Sequence, residues 1–237
     1  MKDVKARRRY ESPHRREQAA GTRRKIVEAA QALFLERGYA ATTMAEIARA
    51  AGVVVETVYR SFGSKAALFG AVVEAVLAGG FERAEVPVED RPAIAAIIAE
   101  TDPRRQVAMY AATQPGIHRR ASPLLRAVRD AATIDAEVAR VWAELEGQRY
   151  AGQARMAGLL ASRGALRDGL TAEGAADRIW VLSSLALHDL FVVERGWSSE
   201  DYERWLAEAL TRELLQEQPH PAAQRAPPEE PDDRDSD

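Results

Sequence analysis

Apolar residues recur along this chain at intervals of three and four, the spacing of helix faces rather than strands. Ile26, Ala29, Ala30, Leu33 and Phe34 fall at i, i+3, i+4, i+7 and i+8, one face of a helix that Gly38 can end in left-handed αL geometry. Thr43 and Glu46 have the spacing of a capping box. They open a short helix with Ile47 and Ala50–Ala51 inward and Gly52 as its close. A third helix begins near Val54–Glu56 and ends at Phe62–Gly63, and Ser64 caps a fourth with Leu68, Phe69, Val72 and Val76 inward. Asp102–Pro103 and Ser122–Pro123 each pair a capping side chain with a proline at the first helical position, so each predicts a helix start. The run Ile134, Val138, Val141, Trp142, Leu145, Met156, Leu159 and Leu160 predicts a helix of several turns ending near Gly164. Thr171 opens another, through Ile179, Leu182, Ala186, Leu190 and Val193 to Gly196. Ser198 with Asp201 opens the last, with Tyr202, Trp205, Leu206, Ala209, Leu210 and Leu214 on one face. The expectation is an all-α fold of about nine helices without strands.

The ends of the chain differ from this pattern. Residues 1–20, with Arg7–Arg8–Arg9 and Arg15–Arg16 and few large apolar groups, read as a basic disordered arm. Residues 217–237 hold five prolines and seven acidic residues and read as an acidic disordered tail. The net charge of −3 conceals an asymmetry: residues 1–70 carry 14 Lys/Arg against 7 Asp/Glu, and the rest 19 against 29. A basic first third suggests that one end meets a polyanion. With no cysteine, disulfides and thiolate metal sites are excluded. No apolar run is long enough for a membrane span or a secretory signal, so the expected setting is the cytoplasm, with no membrane partner.

The three valines Val53–Val54–Val55 sit between two helices, so they do not read as a strand. A short helix, a Gly52–Val53 turn and a second short helix make a helix-turn-helix, with Val53 plugging the angle between the helices. In this motif the second helix enters the DNA major groove. Val58 and Phe62 face inward, which leaves Val55, Glu56, Thr57, Tyr59 and Arg60 outside.

The stretch "TTMAEIARAAGVVVETVYRSFGSKAALF" resembles the N-terminal domain of the TetR family of bacterial transcription regulators over about residues 22–78. "GWSSEDYERWLAEALTRELL" also resembles that family's last helix. The resemblance implies that Thr43, Tyr59 and Lys65 bond backbone phosphates and that Val55, Glu56 and Thr57 meet base edges. Where the family often has Ser or Thr, this chain has Val54, which cannot cap the helix. Two readings stand open at several positions. Glu56 either accepts from cytosine N4 or only favours the positive end of the helix. Val54 or Val55 packs on a thymine methyl or faces solvent. The arginines of residues 1–20 either enter the minor groove or attract phosphates without sequence preference.

The domain division expected is 1–20 arm, 21–78 helix-turn-helix domain, 79–216 ligand-binding and dimerisation domain, and 217–237 tail. Residues 172–195 are apolar nearly all round, as a helix buried on more than one side would be. Paired with 198–216 across a two-fold axis they would make a four-helix bundle, the homodimer that the resemblance implies. Residues 92–165 are expected to enclose an effector pocket lined by Met109, Tyr110, His118, Trp142, Met156, Trp180 and His188, although such residues at helical spacing also serve as core. His118 beside Arg119–Arg120 has a surface reading too. His188–Asp189 either orients a polar ligand group or is a satisfied pair at the dimer seam, its two side chains being expected on different helix faces. Four histidines without cysteine, HExxH, a phosphate-binding glycine loop or Gly-x-Ser-x-Gly exclude the common enzyme classes, and no metal or cofactor is expected. The reading is a ligand-responsive repressor whose homodimer binds a palindromic operator on double-stranded DNA and is released by a small molecule. Its signal would cross at Glu74–Leu77. The alternative is a constitutive or architectural DNA-binding dimer without an effector.

Overall fold

The computed structural model describes residues 13–216, and the described part is all-α. In order the helices are α1 (Pro13–Ala41), α2 (Met44–Ala51), α3 (Val55–Phe62), α4 (Lys65–Ala78), α5 (Phe81–Ala84), α6 (Pro92–Ala99), α7 (Pro103–Ala131), α8 (Ala136–Ser162), α9 (Ala172–Leu182), α10 (Leu185–His188) and α11 (Ser199–Leu214). A π-helical turn, Asp189–Glu194, follows α10. Among the described residues the only β pairing is an isolated bridge between Leu166 and Leu215. No single described helix is long and apolar enough to cross a membrane.

The punctuation near the N-terminus forms as its residues dictate. Gly38 breaks the helical path of α1 with a positive φ of 78° but an extended ψ of 169°, not the αL geometry expected, and this conformation too favours glycine. The buried Thr42 hydroxyl then donates toward the Gly38 carbonyl at 2.8 Å and the Leu33 carbonyl at 3.2 Å, tying off that helix end. Thr43 and Glu46 close a reciprocal capping box: the Thr43 N–H donates to Glu46 Oε2 at 2.9 Å and the Glu46 N–H to Thr43 Oγ1 at 3.2 Å. Ser64 caps α4 by accepting from the Ala67 N–H.

Two buried clusters make the core. The first joins Ile26, Phe34, Tyr39, Ile47, Val58, Leu68, Phe69 and Val72 to Ala121, Leu124 and Val128 of α7 and Val138 and Val141 of α8. Phe34, Tyr39 and Phe69 form its aromatic centre, with ring centroids 5.0–5.7 Å apart. The second joins Val107, Ala111, Met156, Leu160, Ile179, Tyr202, Leu206 and Leu210. The helix-turn-helix therefore does not close its own core, because α7 and α8 complete it.

Several boundaries depart from the sequence pattern. Residues 13–20, expected within a disordered arm, belong to α1, so Arg15 and Arg16 lie in that helix. Arg7, Arg8, Arg9 and the acidic tail lie outside the described residues. Ser122–Pro123 starts no helix. It lies inside the 29-residue α7, which carries Pro115 and Pro123 within it. Each proline removes one backbone donor, and packing on both cores holds the helix together across them. Ile134 is outside α8 and 85% exposed, and Asp135 is the cap instead. The single helix expected from Thr171 to Gly196 breaks at Ser183–Ser184, where Ser184 caps α10 by accepting from the Leu187 N–H.

Candidate nucleic-acid interface

Gly52 takes left-handed geometry (φ 68°, ψ 35°), and its N–H donates back to the last turn of α2. Val53 follows with its N–H on the Ala48 carbonyl at 3.0 Å and its side chain packed on the first core. This turn fixes α3 with Val58 fully buried and the opposite side open. Val54 is 66% and Tyr59 51% exposed, and Glu56 and Arg60 are exposed as well. Val55, expected on the outer face, is half-buried against the first core. Thr57 is half-buried and its hydroxyl accepts from Arg60 at 3.4 Å.

The anchoring groups around this face are charged. Hydrogen bonds from the Thr43 hydroxyl and N–H hold the Glu46 carboxyl below its usual range. Lys65 lies with its ammonium 4.2 Å from the Tyr39 ring centroid and donates to the Ala40 carbonyl at 3.5 Å. Its partial burial lowers its pKa, although Asp135, Glu137 and Glu46 pull the other way. Arg23, which the sequence pattern did not single out, lies 4.4 Å over the Phe62 ring and donates to the Ser61 carbonyl, clamping α1 to the end of α3. Its signal was the basic triplet Arg23–Arg24–Lys25; Arg24 instead pairs with Glu82 at 2.7 Å.

Nothing caps α3: Val54 is its N-cap residue and makes no side-chain bond. A serine there is expected to accept from the first-turn N–H groups. Val54→Ser should therefore raise stability by about 1 kcal/mol, read from the urea midpoint at unchanged slope.

The second cluster encloses a polar seam. Along α7, Gln106, Tyr110, Gln114, His118 and Ser122 follow one another at four-residue steps. The Tyr110 hydroxyl donates to Ser183 Oγ at 3.2 Å, and Gln153 of α8 donates to both oxygens. The His118 and His188 rings stack at 4.4 Å, and Tyr202 stands edge-on to both. Beyond them Arg126 donates to both carboxylate oxygens of Asp189 at 2.8 and 2.6 Å. Burial pushes the His118 imidazole down to about 4, helped by His188 and against the nearby Ser183 carbonyl and Asp189.

The candidate pocket residues divide. Tyr110, His118 and His188 come together in this seam, and Met109 and Met156 pack in the second core. His118 is 5% exposed, which corrects its surface reading. Arg119 and Arg120 occupy neighbouring faces, and Arg120 reaches α4, donating to the Val76 and Leu77 carbonyls at 3.3 and 3.4 Å. Trp142 packs on the first core, away from the seam. Trp180 is held outside it by Glu146, which accepts from its indole N–H at 3.1 Å, and by Arg149 over its ring. His188 Nδ1 and Asp189 Oδ1 approach to 3.4 Å, although they were expected on different faces; both residues keep helical dihedral angles, so it is their side chains that turn toward each other.

The sequence pattern of the bacterial regulatory proteins of the tetR family matches residues 26–72. Over 61 residues the chain is 43% identical to the HTH-type transcriptional regulator TtgR of Pseudomonas putida. That stretch is 26% of this chain and spans 29% of the curated relative. The fold extends further. NalD, the secondary repressor of the MexAB-OprM multidrug efflux pump in Pseudomonas aeruginosa, superposes with a TM-score of 0.63 at 24% identity. It covers 83% of this chain and 98% of its own. A protein from Saccharomonospora viridis solved in complex with choline superposes at 0.59 with 20% identity, over 82% of this chain and 98% of that one.

Proposed function

We infer from the match of residues 26–72 to the tetR family pattern, and from the all-α fold around it, that the chain is a regulator of the TetR family: a DNA-binding transcription regulator, not an enzyme, and a repressor released by a small molecule. The carrying observation is the α2–α3 pair: a buried, glycine-turned helix-turn-helix whose second helix leaves Val54 and Tyr59 open to a duplex. Thr43, Tyr59 and Lys65 take the backbone phosphates, and Val54, Glu56, Thr57 and Arg60 face the base edges, with Val55 at the margin.

One recognition helix of eight residues reads few base pairs, so the functional unit is a homodimer on a palindrome. Val181, Leu190 and Val193, 49%, 47% and 59% exposed, lie open on the segment expected to pair across the two-fold axis. Repression is supported by the likeness to NalD, and an effector by the likeness to the choline-bound protein. The effector acts from the polar seam through α7, which touches the seam at His118 and the end of α4 at Arg120. It works only if its affinity differs between the DNA-bound and released conformations.

Lys65→Ala tests the interface. It should weaken binding to all duplexes alike and lower the slope of log K against log salt by about one, measured by fluorescence anisotropy. An unchanged slope would remove Lys65 from the phosphate contacts.

A further inference from the structure

We propose that His118, Ser122, His188 and Tyr202 form the binding site for an uncharged, planar aromatic molecule that carries a hydroxyl group. The proposal rests on the ligand-responsive reading above and specifies its chemistry.

Four polar atoms here are fully buried without a hydrogen-bond partner: both ring nitrogens of His118, Ser122 Oγ and the Tyr202 hydroxyl. The residues are 5%, 4% and 0% exposed. The Ser183 carbonyl is close enough to favour the protonated His118 ring, but it makes no well-formed hydrogen bond to either ring nitrogen. Buried polar groups are almost always paired, so three such residues, His118 and Ser122 one turn apart on α7 and Tyr202 of α11 edge-on to the stacked imidazoles, are costly to the protein alone. The cost is recovered if a ligand supplies the missing partners.

The character of those groups selects the ligand. Two rotatable hydroxyls and an uncharged imidazole both donate and accept, as a phenolic hydroxyl does. Ionic ligands find no counter-charge. Arg126 and Asp189 neutralise each other through two bonds, and Arg149, the other cation acting on His118, is tied to Glu146 and the Trp180 carbonyl. Burying an unpaired charge there is strongly unfavourable. Flat rings flank the Tyr202 side of the site: the stacked imidazoles against its edge, and Phe191 and Trp205 beside it with Trp197 on Phe191, at centroid distances of 4.3–6.5 Å. The wall that carries His188 is the short α10 and the π-helical turn, the least regular part of this domain.

Tryptophan fluorescence of the full chain would be titrated with 2-naphthol, naphthalene, 2-naphthoate and 2-naphthylmethylammonium at pH 7. The expected result is 2-naphthol binding at least tenfold more tightly than the other three. Tyr202→Phe and Ser122→Ala should each weaken it at least fivefold, yet melt at or above the parent temperature, because each removes an unpaired group. Equal binding of naphthalene would mean an apolar site whose polar atoms hold only water. Tighter binding of either ion, or of none of the four, would overturn the proposal. So would a Tyr202→Phe variant that melts lower and binds unchanged. Duplex binding is measured on the same preparation. Lost selectivity for naphthol with intact duplex binding sinks this site alone, whereas selective naphthol binding without duplex binding sinks the regulator reading alone.

Discussion

Replacing Leu124 by alanine is expected to destabilise the helix-turn-helix domain, although the residue lies far from it in sequence, by about 2–5 kcal/mol. Leu124 is 1% exposed and belongs to the cluster that contains Phe34, Ile47, Val58 and Phe69. Truncation leaves a cavity where α7 meets α1 and α4, and the cost is the lost transfer free energy plus that of the void. Hydrogen exchange should show amides of α1, α4 and α7 losing protection together, because one core serves both regions. Loss confined to residues 103–162, with 26–72 protected as before, would mean that the two regions are separable. On the proposed reading the same continuity carries the signal: a ligand that displaced α7 at His118 would move Arg120 on the α4 carbonyls and Leu124 in the core shared with α3.

Acidification is expected to weaken the fold between pH 6.5 and 4 through the seam. His118 in the unfolded chain takes up a proton near its ordinary value of 6.5, whereas buried His118 resists protonation until about 4. Within that window the unfolded state binds more protons, so stability falls as pH falls. The loss is about 2 kcal/mol by pH 5 and about 3 once the window is crossed. His188, also lowered by burial, adds in the same direction. Tyr110 and Tyr202 stay protonated throughout, and burial raises both. Burial alone would raise Asp189, but Arg126 and His188 outweigh it, so its loss of charge comes at lower pH. Urea unfolding of the parent and of His118→Leu at pH 7, 6 and 5 isolates the contribution. The parent should lose stability faster than the variant. Parallel curves would mean that His118 is solvated.

The legible parts were those where one residue type has one local job. Gly38, Gly52, Thr43, Ser64 and Ser198 sit at turns or caps because few other residues satisfy those backbone groups, and each was placed from sequence. The second domain was harder because its irregularities are set by packing. Ser122–Pro123 has the composition of a helix start, but α7 runs through it, with Ser122 buried in the seam. The break at Ser183–Ser184 carries neither glycine nor proline; its overlooked signal was the serine pair, one to bond Tyr110 and Gln153 and one to cap α10. His118 was obscured by its arginine neighbours, since adjacent helix positions point to different surroundings. Trp142 and Trp180 had the right chemistry for a pocket, and only the folded helices show that they face elsewhere.

The most direct test of the regulator reading is selection of the purified full chain on a randomised duplex library at near-physiological salt, followed by sequencing. Enrichment of one palindrome, with half-sites spaced for two recognition helices about one helical turn apart, is the predicted result. Retention of duplexes without any enriched sequence would contradict it and leave a DNA-binding dimer of architectural kind.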